Sequence, residues 1–141
     1  MTWDLSKLYS GFDETYAKAM QTLCEKAQVM IPNITEAAMM AGIPYREDYD
    51  ETYIAELMEK LGGKDVVLTG VGYLPEETGI LLRNREGCFH HVHPKVAKSF
   101  HGTGDIYASA FVGCWMGGKT MAQSAAIAAD FACDCIRNTL E

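Results

Sequence analysis

The stretch SFHGTGDIYAS at residues 99–109 places two glycines around a threonine, directly before an acid and a run of small and apolar residues. Glycines adopt backbone angles that other residues resist. The run from Ile106 to Met116 predicts a helix, with Thr103 or Asp105 as its cap. A glycine-rich turn at a helix N-terminus directs backbone N–H groups outward at the positive end of the helix dipole, which predicts a site for phosphate or another anion. Asp105 is placed to accept a proton from an attacking hydroxyl.

The same stretch also fits an ordinary junction between a loop and a helix, in which Asp105 is only a cap. Short glycine-rich patterns match many unrelated sequences, so the spacing alone leaves both interpretations open. The stretch is not a dinucleotide fingerprint, because Tyr107 stands where that pattern needs its third glycine.

Three segments of the chain resemble one family. The run HGTGDIYASAF resembles the anion-hole and catalytic-base motif of the ribokinase-like superfamily, above all its pyridoxal/pyridoxamine kinase branch. IPNITEA at residues 31–37 resembles the N-x-x-E segment of that family, and KLYSGF at residues 7–12 resembles the stretch just upstream of it. The resemblance covers nearly the whole chain from Lys7 onward, in the family's order, but only the C-terminal half of such a kinase.

The resemblance implies an enzyme that transfers the γ-phosphoryl group of ATP to the 5′-hydroxyl of pyridoxal, pyridoxamine or pyridoxine, a reaction of vitamin B6 salvage. It makes Asp105 the catalytic base. It makes the backbone N–H groups of Gly102, Thr103 and Gly104 an anion hole for the moving phosphoryl group. His101 lies beside this loop, where it could touch a phosphate or simply pack within the loop.

The resemblance also implies a nucleotide and a metal ion at the other motif. Thr69 matches a position that contacts ATP phosphate. Asn33 and Glu36 would support Mg²⁺ through water, with no direct protein ligand, because Mg²⁺ keeps much of its hydration shell. The spacing of Asn33 and Glu36 equally predicts a capping box, and the two roles are compatible.

Alternating helix and strand patterns predict an α/β fold. In the family's terms this is a partial ribokinase-like three-layer fold, with a mostly parallel sheet and an antiparallel hairpin. Residues 1–141 would form a single C-terminal portion of the kinase domain, with the N-terminal half missing. The predicted helices include residues 16–27, 37–41, 54–61 and 106–116 and one capped by Thr120; the predicted strands are 28–31, 65–69, 79–83 and 88–93. The acids of the connector 45–51 indicate a solvated face.

Composition limits the kinds of partner that the chain is expected to bind. Twelve Lys and Arg against 19 Asp and Glu give a net charge of −7, which argues against binding to nucleic acid or to an anionic membrane. The five cysteines are odd in number and form no C-x-x-C pair, so we expect reduced thiols and a cytoplasmic protein. His90, His91 and His93 raise the possibility of a metal site, but no third ligand has suitable spacing, and a polar strand face is favoured.

A second nucleotide motif competes with the first. GCWMGGKT at residues 113–120 fits the Walker A pattern, which would place Lys119 and Thr120 on phosphate and Mg²⁺. Only 21 residues follow Thr120, and they have a helical pattern with no room for the later strand that a P-loop domain needs. We therefore favour a turn between two helices.

A kinase domain without its first strands would expose a sheet edge and apolar faces. We therefore expect a homodimer, or association through the exposed edge. The nearest enzymatic alternative is a hydroxymethylpyrimidine kinase, and a non-catalytic nucleotide-binding or interaction fragment is the alternative from another class.

Overall fold

The structure is a computed structural model that describes residues 14–95 and 103–140. A four-stranded sheet in the order β1-β2-β3-β4 pairs β1 with β2 in parallel, and β2 with β3 and β3 with β4 in antiparallel fashion. The α/β class and the antiparallel hairpin are confirmed, and the segment at residues 7–12 lies outside the described residues. The elements are α1 (Glu14–Cys24), β1 (Val29–Met30), α2 (Ile34–Ala41), α3 (Glu51–Lys60), β2 (Asp65–Thr69), β3 (Glu77–Asn84), β4 (Gly87–Pro94), α4 (Thr103–Met116) and α5 (Met121–Leu140).

Strand β2 is the centre of the packing. Val66 and Leu68 are fully buried against α2 and α3, whereas Val67 is fully buried in a second cluster with α4 and α5. Successive side chains of a strand point to opposite faces, so the continuous apolar run VVL requires helices on both sides of the sheet. The chain is therefore arranged in three layers.

Small residues let α4 and α5 pack closely. Helix α5 buries the alanines of its inner face together with Phe111 of α4. The Tyr107 hydroxyl donates to the Ala125 carbonyl across this interface at 3.1 Å. Burial raises the pKa of Tyr107, which therefore stays neutral and keeps its hydrogen bond. The buried residues of α5 are Ser124, Ala125, Ala128, Ala129, Ala132 and Cys133.

The Walker-like segment is a turn between two helices, as predicted. Gly113 lies inside α4, and Gly118 adopts a positive φ of 98° in the turn that follows. Lys119 donates its backbone N–H to the Cys114 carbonyl at 3.1 Å, as in a helix C-terminus. A P-loop needs the end of a strand at this point, so the P-loop hypothesis does not fit the structure.

The start of α4 differs from the sequence prediction. The helix begins at Thr103 rather than at Ile106, so Thr103 and Asp105 lie within its first turn and neither is the cap. A glycine at position 104 favours a later start on propensity alone. The packing of Tyr107 and Phe111 against the sheet outweighs that preference.

Close backbone approach fixes the hairpin of β3 and β4. A Cβ atom on Gly79 would lie 2.0 Å from the His91 carbonyl oxygen, so only glycine fits there. The Gly79 carbonyl accepts from the N–H groups of both Gly70 and Val71, at 2.9 and 3.0 Å. The loop that leaves β2 is therefore tied to the neighbouring strand.

Two basic side chains donate hydrogen bonds to backbone carbonyls near the C-terminal ends of helices. Lys64 donates from Nζ to the carbonyls of Cys24, Glu25 and Ala27 after α1. Arg83 donates to the carbonyls of Met58 and Gly62 at the end of α3. Cations at helix C-termini satisfy carbonyls that lack a partner within the helix.

All five cysteines lie in the described part of the chain. Cys24, Cys88, Cys114, Cys133 and Cys135 are all unpaired thiols. Across the described ranges, no helix is long and apolar enough to cross a membrane.

Helix α5 begins with a capping box that provides a stability test. The Thr120 hydroxyl accepts from the Gln123 N–H at 3.1 Å, and the Gln123 side chain accepts from the Thr120 N–H at 3.1 Å. We expect Thr120→Ala to lower the free energy of unfolding by about 1 kcal/mol, because the cap is lost. Thr139→Ala is the control, since Thr139 is exposed near the end of the same helix. Equal losses for the two variants in urea unfolding would contradict this role of Thr120.

Candidate functional site

The carboxyl ends of β1 and β2 meet at one point. The Thr69 N–H donates to the Pro32 carbonyl at 2.9 Å, and Asn33 and Thr69 form a parallel bridge beyond the two strands. The Thr69 hydroxyl reaches the same carbonyl at 3.4 Å. In open α/β sheets, ligands bind outside the carboxyl ends of the strands. Two residues that were singled out from separate motifs therefore stand side by side where such a site is expected.

Asn33 and Glu36 form the predicted capping box at the start of α2. The Glu36 N–H donates to Asn33 Oδ1 at 2.8 Å, and the Asn33 N–H donates to Glu36 Oε2 at 3.0 Å. The capping interpretation is confirmed. The cap uses one carboxylate oxygen of Glu36 and leaves Oε1 outside it. Carboxylate and amide oxygens are ligands that Mg²⁺ accepts directly or through water, so these side chains fit a magnesium-supporting role.

A groove of about 650 Å³ opens beside these strand ends. This volume is typical of small-molecule sites. Asn33 and Thr69 line it together with residues of the connector at 45–49, residues of the loop at 70–78, and Lys95. Sequence analysis treated the connector as a solvated face and gave no role to Lys95, so this wall of the groove was missed. No local pattern connects a connector between two helices with a strand end some twenty residues later.

The groove is acidic. Among its described lining residues, Glu47, Asp48 and Glu77 are negative and Lys95 is positive. Arg46 lies just outside the lining and pairs with Asp48 at 3.5 Å, in an exposed ion pair. Exposed pairs of this kind contribute little to stability. A polyanion entering this groove needs a counter-charge.

The second motif occupies the first turn of α4. Gly104 and Asp105 are exposed, and a Cβ on Gly104 would meet no described atom within 4 Å. N–H groups in the first turn of a helix have no acceptor within that helix, and an acid there is favoured by the dipole. Gly102 and His101 lie outside the described residues.

The two motifs lie on helices that pack on opposite faces of the sheet. Helix α2 packs on the sheet face of Leu68, whereas α4 packs on the face of Val67. Among the described residues, Thr103, Gly104 and Asp105 are absent from the lining of the groove. The roles assigned to them remain predictions.

The histidines of β4 have other partners. His91 Nε2 lies 2.8 Å from Asp130 Oδ1 of α5, and His90 Nε2 lies 3.3 Å from the Val71 carbonyl oxygen. Within residues 14–95 and 103–140, no group of three His, Cys, Asp or Glu residues is arranged to hold a metal ion. A polar strand face, the favoured interpretation, fits this arrangement.

Nearly the whole chain matches one family of known proteins. A model of the family described as phosphomethylpyrimidine kinase matches residues 9–141. The chain belongs to the phosphomethylpyrimidine kinase family. The predicted resemblance to the ribokinase-like superfamily, and to its pyridoxal kinase branch, is confirmed by this match and by the solved structures.

Two relatives at 30% identity and one more distant solved structure illustrate the likeness. The hydroxymethylpyrimidine/phosphomethylpyrimidine kinase of Bacillus subtilis (strain 168) is 30% identical over 131 residues, which are 91% of this chain and 48% of the relative. The pyridoxal kinase of Lactobacillus plantarum is 30% identical, with a TM-score of 0.80 over 98% of this chain and 50% of that one. The pyridoxal kinase of Leishmania donovani in complex with ADP and pyridoxamine is 24% identical and supports the fold alone, with a TM-score of 0.77 over 91% of this chain and 44% of that one. The chain spans about half the length of the curated relatives that it matches.

Substitutions of Glu36 separate two contributions of this side chain to stability, its capping hydrogen bond and its negative charge. Glu36→Gln keeps an acceptor for the Asn33 N–H and loses only the charge near the helix dipole, so we expect it to cost about 0.5 kcal/mol of stability. Glu36→Ala loses both, and we expect about 1.5 kcal/mol. Urea unfolding of the two variants measures the difference. If glutamine destabilised the protein as much as alanine, the hydrogen bond to Asn33 would not be what stabilises the start of α2.

Proposed function

We propose that this chain provides the nucleotide-binding part of an ATP-dependent kinase that phosphorylates the hydroxymethyl group of an aromatic nitrogen heterocycle. The observation that carries the proposal is the Asn33–Thr69 bridge at the strand ends, beside a groove of small-molecule size. The names of the related proteins support this reaction class. In this proposal residues 1–141 act as one C-terminal portion of the kinase domain.

Two substrates are compatible with the proposal. The first is pyridoxal, pyridoxamine or pyridoxine, phosphorylated at the 5′-hydroxyl, as suggested by the likeness to the Lactobacillus plantarum enzyme. The second is hydroxymethylpyrimidine, which the family description and the Bacillus subtilis relative favour. Both carry a hydroxymethyl group on an aromatic ring, so in this proposal the same base and the same anion hole act on either substrate.

The residues take the following roles in the proposed transfer. Asp105 accepts the proton of the attacking hydroxyl as the bond from its oxygen to the γ-phosphorus forms and the bond from that phosphorus to the β–γ bridging oxygen breaks, which releases ADP. The backbone N–H groups of Gly102, Thr103 and Gly104 stabilise the charge on the moving phosphoryl group, because donors fixed in advance need no reorganisation during the reaction. Asp105 lies in the first turn of α4, so its carboxylate is held at the same helix terminus as the proposed backbone donors.

The nucleotide phosphates are held by the other motif in this proposal. Thr69 contacts a phosphate, and Asn33 and Glu36 support Mg²⁺. A bound Mg²⁺ supplies charge neutralisation to the phosphate oxygens. The described lining of the groove carries three acids and one lysine, so its net charge is negative. ATP alone has the same sign of charge as Glu47, Asp48 and Glu77, which is why the nucleotide would need the metal.

Nucleotide binding at the α4 terminus can be tested with three variants of the full chain. We expect Gly104→Val to abolish ATP·Mg²⁺ binding, because a β-branched side chain would occupy the open space beside Gly104, where we propose that the anion binds. Gly113→Val is the matched control on the same helix, where a Cβ also meets no described atom within 4 Å. Lys119→Ala should bind normally. Calorimetric titration in which Lys119→Ala abolished binding and Gly104→Val retained it would refute the proposal and support the Walker motif.

Asp105→Asn tests the catalytic base. In an enzyme completed with the N-terminal half of a family member, we expect the turnover rate to fall by about 10²- to 10⁴-fold, the usual size of a general-base contribution. The affinity for ATP should change little, since the backbone donors remain. Parallel assays with pyridoxal and hydroxymethylpyrimidine decide between the two substrates. Unchanged turnover would remove Asp105 from its role.

A further inference from the structure

One tyrosine of the connector reaches across to the loop that follows β2. The Tyr49 hydroxyl accepts from the Gly72 N–H at 3.0 Å. Its proton lies between the carbonyls of Gly72 and Gly70, at 2.9 and 3.2 Å, and is donated to one of them at a time. A single phenol thereby serves both a donor and an acceptor of the loop backbone. Tyr49 is half-buried and packs against the core cluster of α2 and α3.

A row of three aromatic rings also connects the connector, the loop and the hairpin. Tyr49 meets Tyr73 edge-on, with ring centroids 6.1 Å apart, and Tyr73 meets His90 at 5.5 Å. His90 in turn lies 3.3 Å from the Val71 carbonyl oxygen. Edge-to-face pairs of this kind add stabilisation beyond the area that they bury. The loop therefore lies between the connector and the hairpin, with polar contacts to both.

The loop also lies directly against the start of β3. A Cβ on Gly72 would lie 2.2 Å from the Glu77 carbonyl oxygen, so the backbone of residue 72 touches the start of β3. Gly70 adopts a positive φ of 78° directly after Thr69. The bend at Gly70 and the contact at Gly72 are both set within three residues of the proposed phosphate contact. Gly70 and Gly72 also line the groove.

We infer that Tyr49 is a positioning residue for ligand binding in this groove: its hydroxyl holds the backbone of residues 70–72, and with it Thr69 and the adjoining groove wall, in the geometry that receives the nucleotide phosphates. The inference rests on the proposed function and adds to it a residue on a different element. In this inference Tyr49 acts through the loop backbone that its hydroxyl holds, so its effect is on affinity.

A matched pair of tyrosines separates this role from general stability. Tyr53 also donates its hydroxyl to one backbone carbonyl, that of Pro44, at 2.8 Å, but it has no described hydrogen bond to the loop after β2. Tyr49→Phe and Tyr53→Phe each remove one hydroxyl and keep the ring. Both variants of the 141-residue chain are compared with the wild type at a temperature where thermal unfolding shows all three to be folded.

Two measurements then test the inference. We expect Tyr49→Phe to raise the dissociation constant of ATP·Mg²⁺ by about tenfold, because the loop loses both the hydrogen bond that the Tyr49 hydroxyl accepts and the one that it donates. We expect Tyr53→Phe to raise it less than about twofold. Hydrogen exchange of the Gly72 N–H should be faster in Tyr49→Phe than in Tyr53→Phe, because that amide loses its acceptor. Equal dissociation constants for the two variants, or unchanged exchange at Gly72, would overturn the inference.

Failure of the proposed function gives a different result. If the wild-type chain did not bind ATP·Mg²⁺, the proposed function would fail, and the nucleotide part of the inference with it. The exchange of Gly72 needs no ligand, so it would still decide whether Tyr49 fixes the loop. If the wild type bound ATP·Mg²⁺ and Tyr49→Phe bound it equally well, only the role of Tyr49 would be lost.

Discussion

The parallel hydrogen bonding between β1 and β2 is the constraint on which the candidate site depends. Strand β1 has only two residues, Val29 and Met30, yet its pairing continues through the bond from the Thr69 N–H to the Pro32 carbonyl. A slip of one residue would turn every side chain of β1 to the other face and separate Asn33 from Thr69. The burial of Val66 and Val67 on opposite faces of β2 fixes the register from the other side.

Local patterns made much of this structure predictable. The continuous apolar run with polar ends gave the bounds of β2, residues 65–69, because a strand buried on both faces needs such a run. Asn33 and Glu36 stand at capping-box spacing, and a capping box depends only on residues three apart. The hairpin was recognised from the turn at residues 84–87. In each case the physics that selects the structure acts between neighbours in the chain.

The parts that could not be predicted depend on contacts between distant segments. The earlier start of α4 follows from the burial of Tyr107 and Phe111 against β2 and β3, which no propensity at residues 103–105 reveals. The groove wall formed by the connector depends on Tyr49, whose partners are 21 and 23 residues away. Helical and strand periodicities carry no information about such a reach. The roles of Asp105 and the residues beside it come from family resemblance and stay predictions.

The two walls of the groove differ in how they are built. Because the Gly79 carbonyl accepts from both Gly70 and Val71, the wall that follows β2 is tied directly to the sheet. The opposite wall, the exposed connector at residues 45–48, belongs to no strand or helix. Of these two walls, the connector therefore has the greater freedom to move when a ligand binds. Induced fit in this groove is then one-sided, because the connector adjusts to the ligand while the sheet side keeps its shape.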